Sequence, residues 1–126
     1  TEDDVRGFAA VSGDENPIHL DESYAAETSF GRRIVHGMLT ASLISAALAN
    51  DLPGRGTVYL SQTLKFTAPV FLGDTITAAV EVKELRATRR GAIVTLSTRC
   101  TNADGTLVLD GEAVVMLPAS AAEARR

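Results

Sequence analysis

Cysteine, histidine and aromatic side chains are scarce in this chain, and each shortage removes a class of protein. A single cysteine, Cys100, can form no internal disulfide and suits a reducing compartment. Two histidines, His19 and His36, stand without a thiol or a clustered carboxylate set at ligand spacing, so no metal and no other cofactor is expected. Uninterrupted apolar runs of about 18 residues are missing, as is the basic, then apolar, then small order of a secretion signal. No membrane span is therefore expected, and a cytoplasmic location is. An excess of positive charge is missing too: 12 basic residues against 16 acidic ones give a net charge of -4, which offers nucleic acid no general footprint. With no repeat, linker or break in composition, residues 1–126 are expected to form one domain, burying roughly two-thirds of the unfolded surface.

What is present centres on residues 34–50, from Ile34-Val35-His36-Gly37 to Asn50. From Met38 onward this stretch is free of charge, and its apolar residues fall on every side of a helical wheel. The pattern predicts an enclosed helix from Gly37 to Asn50, roughly 21 Å long and able to form the whole inner layer of a small fold. Its start is unusual. No Ser, Thr, Asp or Asn stands before Gly37, so the first-turn N–H groups lack an obvious acceptor, and such an end takes an incoming oxygen onto the backbone.

Upstream, acids at residues 2–4 followed by Val5, Phe8, Ala9 and Val11 predict a short helix stopped at Ser12-Gly13. Residues 14–19 read as a turn-rich loop, 21–27 as one or two helical turns, and 28–33 as a polar connector. Past Pro53-Gly54 the period changes to two, and four strands are expected. Leu60, Gln62, Leu64 and Phe66 share one face of the first, Ile76 to Val82 of the second, and Val94 to Cys100 of the third. The fourth, 107–117, follows the hairpin loop 102–105, and its Asp110-Gly111 suggests a bulge. The tail 119–126 is expected to fray. Alternation of this kind indicates an antiparallel meander, so the fold class is α+β, with a curved sheet wrapped on one helix and pairing with a second copy as a way to cover its edges.

The octet Ser12-Gly13-Asp14-Glu15-Asn16-Pro17-Ile18-His19 carries the chemistry. Glycine allows the reversal and proline fixes the return, which brings a carboxylate and an imidazole to one small volume as an acid and base for a shared water. An Asp and a His at this spacing also suit a turn cap and a surface side chain, and spacing alone does not choose between the two.

The octet together with Phe8 and Val11 resembles the Gly-Asp-x-Asn-Pro-aliphatic-His signature of the MaoC-like, R-specific enoyl-CoA hydratases. The likeness runs on through Ala25-Ala26, Phe30-Gly31, residues 34–39, Tyr59, Phe66, Pro69-Val70, Gly73-Asp74 and Gly111-Glu112-Ala113. It is strongest to the short single-domain members that supply R-3-hydroxyacyl-CoA for polyhydroxyalkanoate. The resemblance implies a hot-dog fold with short overhanging N-terminal helices, and a homodimer joined edge to edge with active sites near its interface. It implies an acyl-CoA thioester as substrate, with Asp14 and His19 activating the water and the Gly37 N–H receiving the thioester oxygen. Asn16 is expected to support the loop. Ala41, Ser45 and Leu48 are candidates for the wall that limits acyl length, and Arg32, Arg33, Lys65, Arg86, Arg89 and Arg90 for contacts with coenzyme phosphates. Three other activities share the frame: the reverse dehydration, thioester hydrolysis and non-catalytic acyl-thioester binding. Intact Asp14 and His19 speak against the last.

Overall fold

The computed structural model describes residues 1–118, and the expectation for the tail 119–126 lies outside the described residues. Helix α1 (Glu2–Ser12) forms because Thr1 caps it. The Thr1 hydroxyl accepts the Asp4 N–H, the Asp4 carboxylate reaches back to the terminal amine, and three acids occupy the first turn. It ends where Gly13 turns left-handed at φ 80°. Its packing face is Val5 and Ala9, one turn apart and buried, while Val11 points to solvent rather than joining that face.

Two short helices follow, α2 (Pro17–Leu20) and α3 (Glu22–Ala26), capped by the side chains of Asn16 and Asp21 respectively. Residues 14–19 are therefore a loop only as far as Asn16. Pro17 needs no N–H partner at a first helical position, so the expected loop closes into one helical turn that contains His19. Helix α4 runs from Gly37 to Asn50, as the sequence predicts.

Five strands build one antiparallel sheet: β1 (Val58–Gln62), β2 (Lys65–Phe66), β3 (Thr77–Thr88), β4 (Gly91–Thr101) and β5 (Leu107–Pro118). Their order is β1-β5-β4-β3, with β2 also on β5, so the sheet stays open. Alternation is cleanest on β4, where Ala92, Val94, Leu96, Thr98 and Cys100 are all buried. Ile44 and Leu48 of α4 meet this face in the main core. The helix is not enclosed by the described residues. Thr40, Ala41, Ile44 and Leu48 are buried, whereas Met38, Ser42, Leu43, Ser45, Ala46 and Ala49 are exposed, because one sheet covers only one side of a helix. This is the hot-dog arrangement: a curved sheet on a single helix, with Phe8 of α1 and His19 of α2 packed on His36 at the helix start.

The first expected strand is two. Between Gln62 and Lys65 the strand is interrupted while Thr63 stays tied to β5, and Leu60 and Phe66 end about half exposed instead of sharing a buried face. Nor is there a bulge at Asp110-Gly111, whose pairing with Arg99 and Thr98 is regular; the register on β4 slips at Cys100/Thr101 instead. Gly111 has a different task. Thr63 crosses it closely, stitched by Thr63 N–H to Glu112 O at 2.9 Å and Glu112 N–H to Thr63 Oγ1 at 2.9 Å, and a Cβ on Gly111 would stand 1.9 Å from the Thr63 carbonyl oxygen. Since that neighbour is backbone, Gly111→Ala should destabilise by about 3 kcal/mol, the upper end of overpacking, and lower the urea midpoint without changing the slope. An unchanged midpoint would refute the crowding.

Candidate active site

The loop after α1 is a chain of local caps. Ser12 Oγ donates to Phe8 O and accepts the Asp14 N–H at 3.1 Å, Asp14 Oδ1 accepts the Asn16 N–H at 3.3 Å, and Asn16 Oδ1 accepts the Ile18 N–H at 3.2 Å. Asn16 is part of this chain of caps: its backbone N–H donates to the Asp14 carboxylate and its side chain starts the turn that carries His19. One Asp14 oxygen is engaged in this way, and the residue stays exposed.

His19 is only 8% exposed. Its Nδ1 lies 2.8 Å from the Ile34 carbonyl, and a carbonyl can only accept, so Nδ1 carries the proton and Nε2 keeps a lone pair. The turn is held from behind by Arg33, whose Nε donates to the His19 carbonyl at 2.7 Å and whose two terminal nitrogens grip Glu2 at 2.7 and 2.6 Å. Next to it, Ile34 N–H donates to Ile18 O and Val35 N–H to Val70 O, so residues 34–35 run between α2 and the segment 70–71.

That track delivers His36 and Gly37. His36 is 1% exposed, stacks on His19 with ring centroids 3.9 Å apart, packs against Phe8, and donates from Nε2 to the Asp14 carbonyl at 3.0 Å. It makes no side-chain cap on α4, and the Gly37 amide has no protein acceptor among the described residues. A Cβ on Gly37 would lie 2.8 Å from the Phe66 ring, so the glycine lets an aromatic edge close against the helix start.

Asp14, His19 and Gly37 line one cavity of about 530 Å³, a size that suits a small ligand. Its remaining wall is mainly apolar, with Phe30, Val35, Met38, Phe66, Val70 and Val108. A carboxylate oxygen of Asp14 and ring nitrogens of His19 and His36 fall within 4.8 Å of one another. One water spans such a gap, since two hydrogen bonds of about 2.8 Å at water's own angle end roughly 4.5 Å apart. With one nitrogen of each imidazole bonded to a carbonyl and Nδ1 of His36 sealed in the interior, His19 Nε2 and one carboxylate remain for the cavity, short of the three protein ligands of a catalytic zinc.

The acyl wall expected from the helix is not brought to this cavity. Ala41 and Leu48 are core, and Ser45 faces outward from α4; Met38 and Thr40 reach the cavity instead. Among the basic candidates, Arg33 is spent on Glu2, and the Arg32 guanidinium lies 3.8 Å over the Phe71 ring. Arg86 belongs to β3, not to a loop, and Arg89-Arg90 form the β3–β4 turn. Nine strand steps from Gly91 to Cys100, roughly 30 Å, separate them from the cavity end of the sheet. Lys65, beside Phe66, stays exposed. Sequence reasoning missed Phe30, Met38, Thr40 and Val108 as lining residues and took His36 only as a helix entrance. The signal for His36 was a non-capping residue fixed directly before the glycine.

Comparisons with known proteins show what the chain is similar to. A family model described as "MaoC like domain" matches residues 1–103. The chain is similar to the (R)-specific enoyl-CoA hydratase of Aeromonas caviae, 54% identical over 115 residues, covering 91% of this chain and 84% of that protein. It is similar to the 3-hydroxybutyryl-CoA dehydratase of Methylorubrum extorquens, 56% identical over 115 residues, covering 91% and 71%. Among solved structures, an A. caviae (R)-hydratase involved in PHA biosynthesis superposes with a TM-score of 0.85 at 54% identity, covering 90% of this chain and 85% of that one. The unliganded R-hydratase PhaJ1 of Pseudomonas aeruginosa also gives 0.85, at 53% identity, covering 94% and 74%.

The Arg33 clamp predicts a pH response. Its hydrogen bond to Glu2 holds that carboxyl below the ordinary value of 4.5. A depressed carboxyl stabilises the fold above its unfolded value and loses that contribution as pH falls through the folded one. Glu2→Gln should therefore melt below the parent at neutral pH, with the gap closing as pH drops below 4.5. Thermal melts at about pH 7 and about pH 3.5 that keep the same gap would sink this account of the clamp.

Proposed function

Because the chain belongs to the MaoC-like family, we propose that its capped loop and the start of α4 form the site at which water is added to a trans-2-enoyl-CoA. The activity is (R)-specific hydration to the (R)-3-hydroxyacyl-CoA, a hydro-lyase reaction. The same site catalyses the reverse dehydration, since a catalyst accelerates both directions, and a dehydratase stands among the close relatives. The observation that carries the site assignment is the Asp14 and His19 pair, spaced for one water, on the same cavity as the unpaired Gly37 amide.

The water donates to the Asp14 carboxylate and to His19 Nε2. As its oxygen bonds C3, one proton passes to the pair and the C2=C3 electrons shift toward the thioester oxygen. That oxygen accepts the Gly37 N–H, and a donor aimed at developing charge in an apolar site is worth about 10²–10³-fold in kcat. The pair then returns a proton to C2 on the same face, so the elements of one water are added. General base action adds about 10²–10⁴-fold and uses His19 Nε2, the nitrogen that the contact with the Ile34 carbonyl leaves free in the neutral ring. No step calls for a metal or redox group.

The reading extends to a homodimer and to a cytoplasmic setting, which the buried free thiol of Cys100 suits and cell fractionation would test. The two free sheet edges differ. On the β1–β2 edge, Val58, Tyr59, Leu60 and Phe66 are large, apolar and 41–52% exposed, whereas β3 sets its exposed Val82 and Leu85 among Glu81, Lys83, Glu84 and Arg86, charges that discourage pairing. The apolar edge is the one for a second copy, and Phe66 there lines the cavity, so pairing would set the site near the interface.

With crotonyl-CoA, the parent should consume the enoyl absorbance, release no thiol and yield the R product. Asp14→Asn and His19→Gln should each lower kcat at least about 100-fold with little change in melting. Gly37→Pro removes the amide at a first helical position that tolerates proline, while Gly37→Ala adds the same Cβ against Phe66 and keeps the N–H. Proline should therefore be slower than alanine by about 100-fold or more in kcat, and equal rates would dismiss the amide. In sedimentation velocity the parent should run as a dimer and Leu60→Lys as a monomer; a monomeric parent would end the edge pairing.

A further inference from the structure

We propose that His36 is a positioning residue for this reaction: a neutral imidazole, protonated on Nε2, that fixes the distance between the acid–base loop and the amide of Gly37. Three contacts carry the inference. The Nε2–H donates to the main-chain carbonyl of Asp14 at 3.0 Å, across 22 residues of sequence. The ring stacks on His19 at 3.9 Å with planes 28° apart. Its own backbone precedes Gly37 directly as the N-cap of α4, and it caps nothing with its side chain. One residue therefore touches the carrier of the carboxylate, the ring of the base and the donor of the N–H.

The tautomer follows from the surroundings. Nδ1 is buried with no hydrogen-bond partner among the described residues, so a proton there would be a wasted buried donor, whereas Nε2 faces an oxygen that can only accept. A residue needed only to fill space beside Phe8 and His19 would not have to donate, and a leucine would fit that task. The geometry makes the donor the reason for histidine.

The inference rests on Asp14 and His19 acting as the acid–base pair, and the experiment separates the two. His36→Leu removes the donor, and His36→Gln restores an N–H that reaches the same carbonyl. Loss of a support of this kind costs about 10- to 100-fold in rate. His36→Leu should lose that much in kcat on crotonyl-CoA with KM changed less than about threefold, and His36→Gln should recover most of it. Independently of whether the variants fold, imidazole ¹⁵N shifts of the unsubstituted protein should give His36 the pattern of an Nε2–H, Nδ1-bare ring. An Nδ1–H or doubly protonated His36 would overturn the proposal. So would a folded His36→Leu with parental kcat, or a glutamine variant no better than leucine. If His36→Leu loses kcat while Asp14→Asn and His19→Gln do not, the pair assignment has failed rather than the role of His36.

Discussion

The backbone of Ile34 holds the His19 turn in place. Its carbonyl takes the His19 Nδ1–H at 2.8 Å and its amide donates to Ile18 O at 3.3 Å, so both hydrogen-bonding groups of this one residue are committed to the turn that carries His19. One residue on, Val35 N–H donates to Val70 O at 2.7 Å, which ties the same strand of chain to the opposite wall of the cavity. An imidazole in water exchanges freely between tautomers. Here a carbonyl decides, and the nitrogen left bare is the one that can take a proton from water.

Burying so much polarity behind a small site carries a penalty unless each group is paired. His19, Arg33, His36, Thr40 and Thr98 are the buried polar side chains of the described residues. Arg33 answers by donating to one carbonyl and forking onto Glu2, and Thr98 by accepting the Gln62 amide at 2.9 Å. The exception is His36 Nδ1, the single buried side-chain nitrogen or oxygen among the described residues without a partner. Exceptions of this kind gather at functional sites, where a local rule is broken because geometry matters more than stability.

Local patterns were legible in the sequence, and contacts between distant segments were not. The period of two on β4 gave its buried face, and the run after Gly37 gave α4 to the residue, since both depend on the order of neighbours. The Asp14 and His19 pair was visible because Gly13 and Pro17 act within their own octet. The even spread of apolar residues around α4 misled: it signals a helix that tolerates cover on any side, and it does not say that one chain supplies all the cover. Arg33 looked like a free cation because Glu2, 31 residues away, is invisible to spacing. A wheel likewise groups Ala41, Ser45 and Leu48 near one another, yet only the packed sheet decides which face of the helix meets the cavity.

Gly37 and Phe66 belong together for the same physical reason. An amide stabilises a developing oxyanion far better in a dry site than in water, so the role proposed for Gly37 calls for an apolar cover as well as an absent cap. Phe66 provides that cover from the short strand β2, with its ring edge 2.8 Å from where a Cβ on residue 37 would sit. Any larger residue at position 37 pushes the cover away, and any capping side chain at position 36 competes for the amide. The sequence pair His36-Gly37 meets both demands, because a histidine turned toward Asp14 cannot cap and a glycine cannot collide. What appears in the sequence as a poorly started helix is, on the proposed function, a donor left free for the substrate and flanked by an aromatic ring.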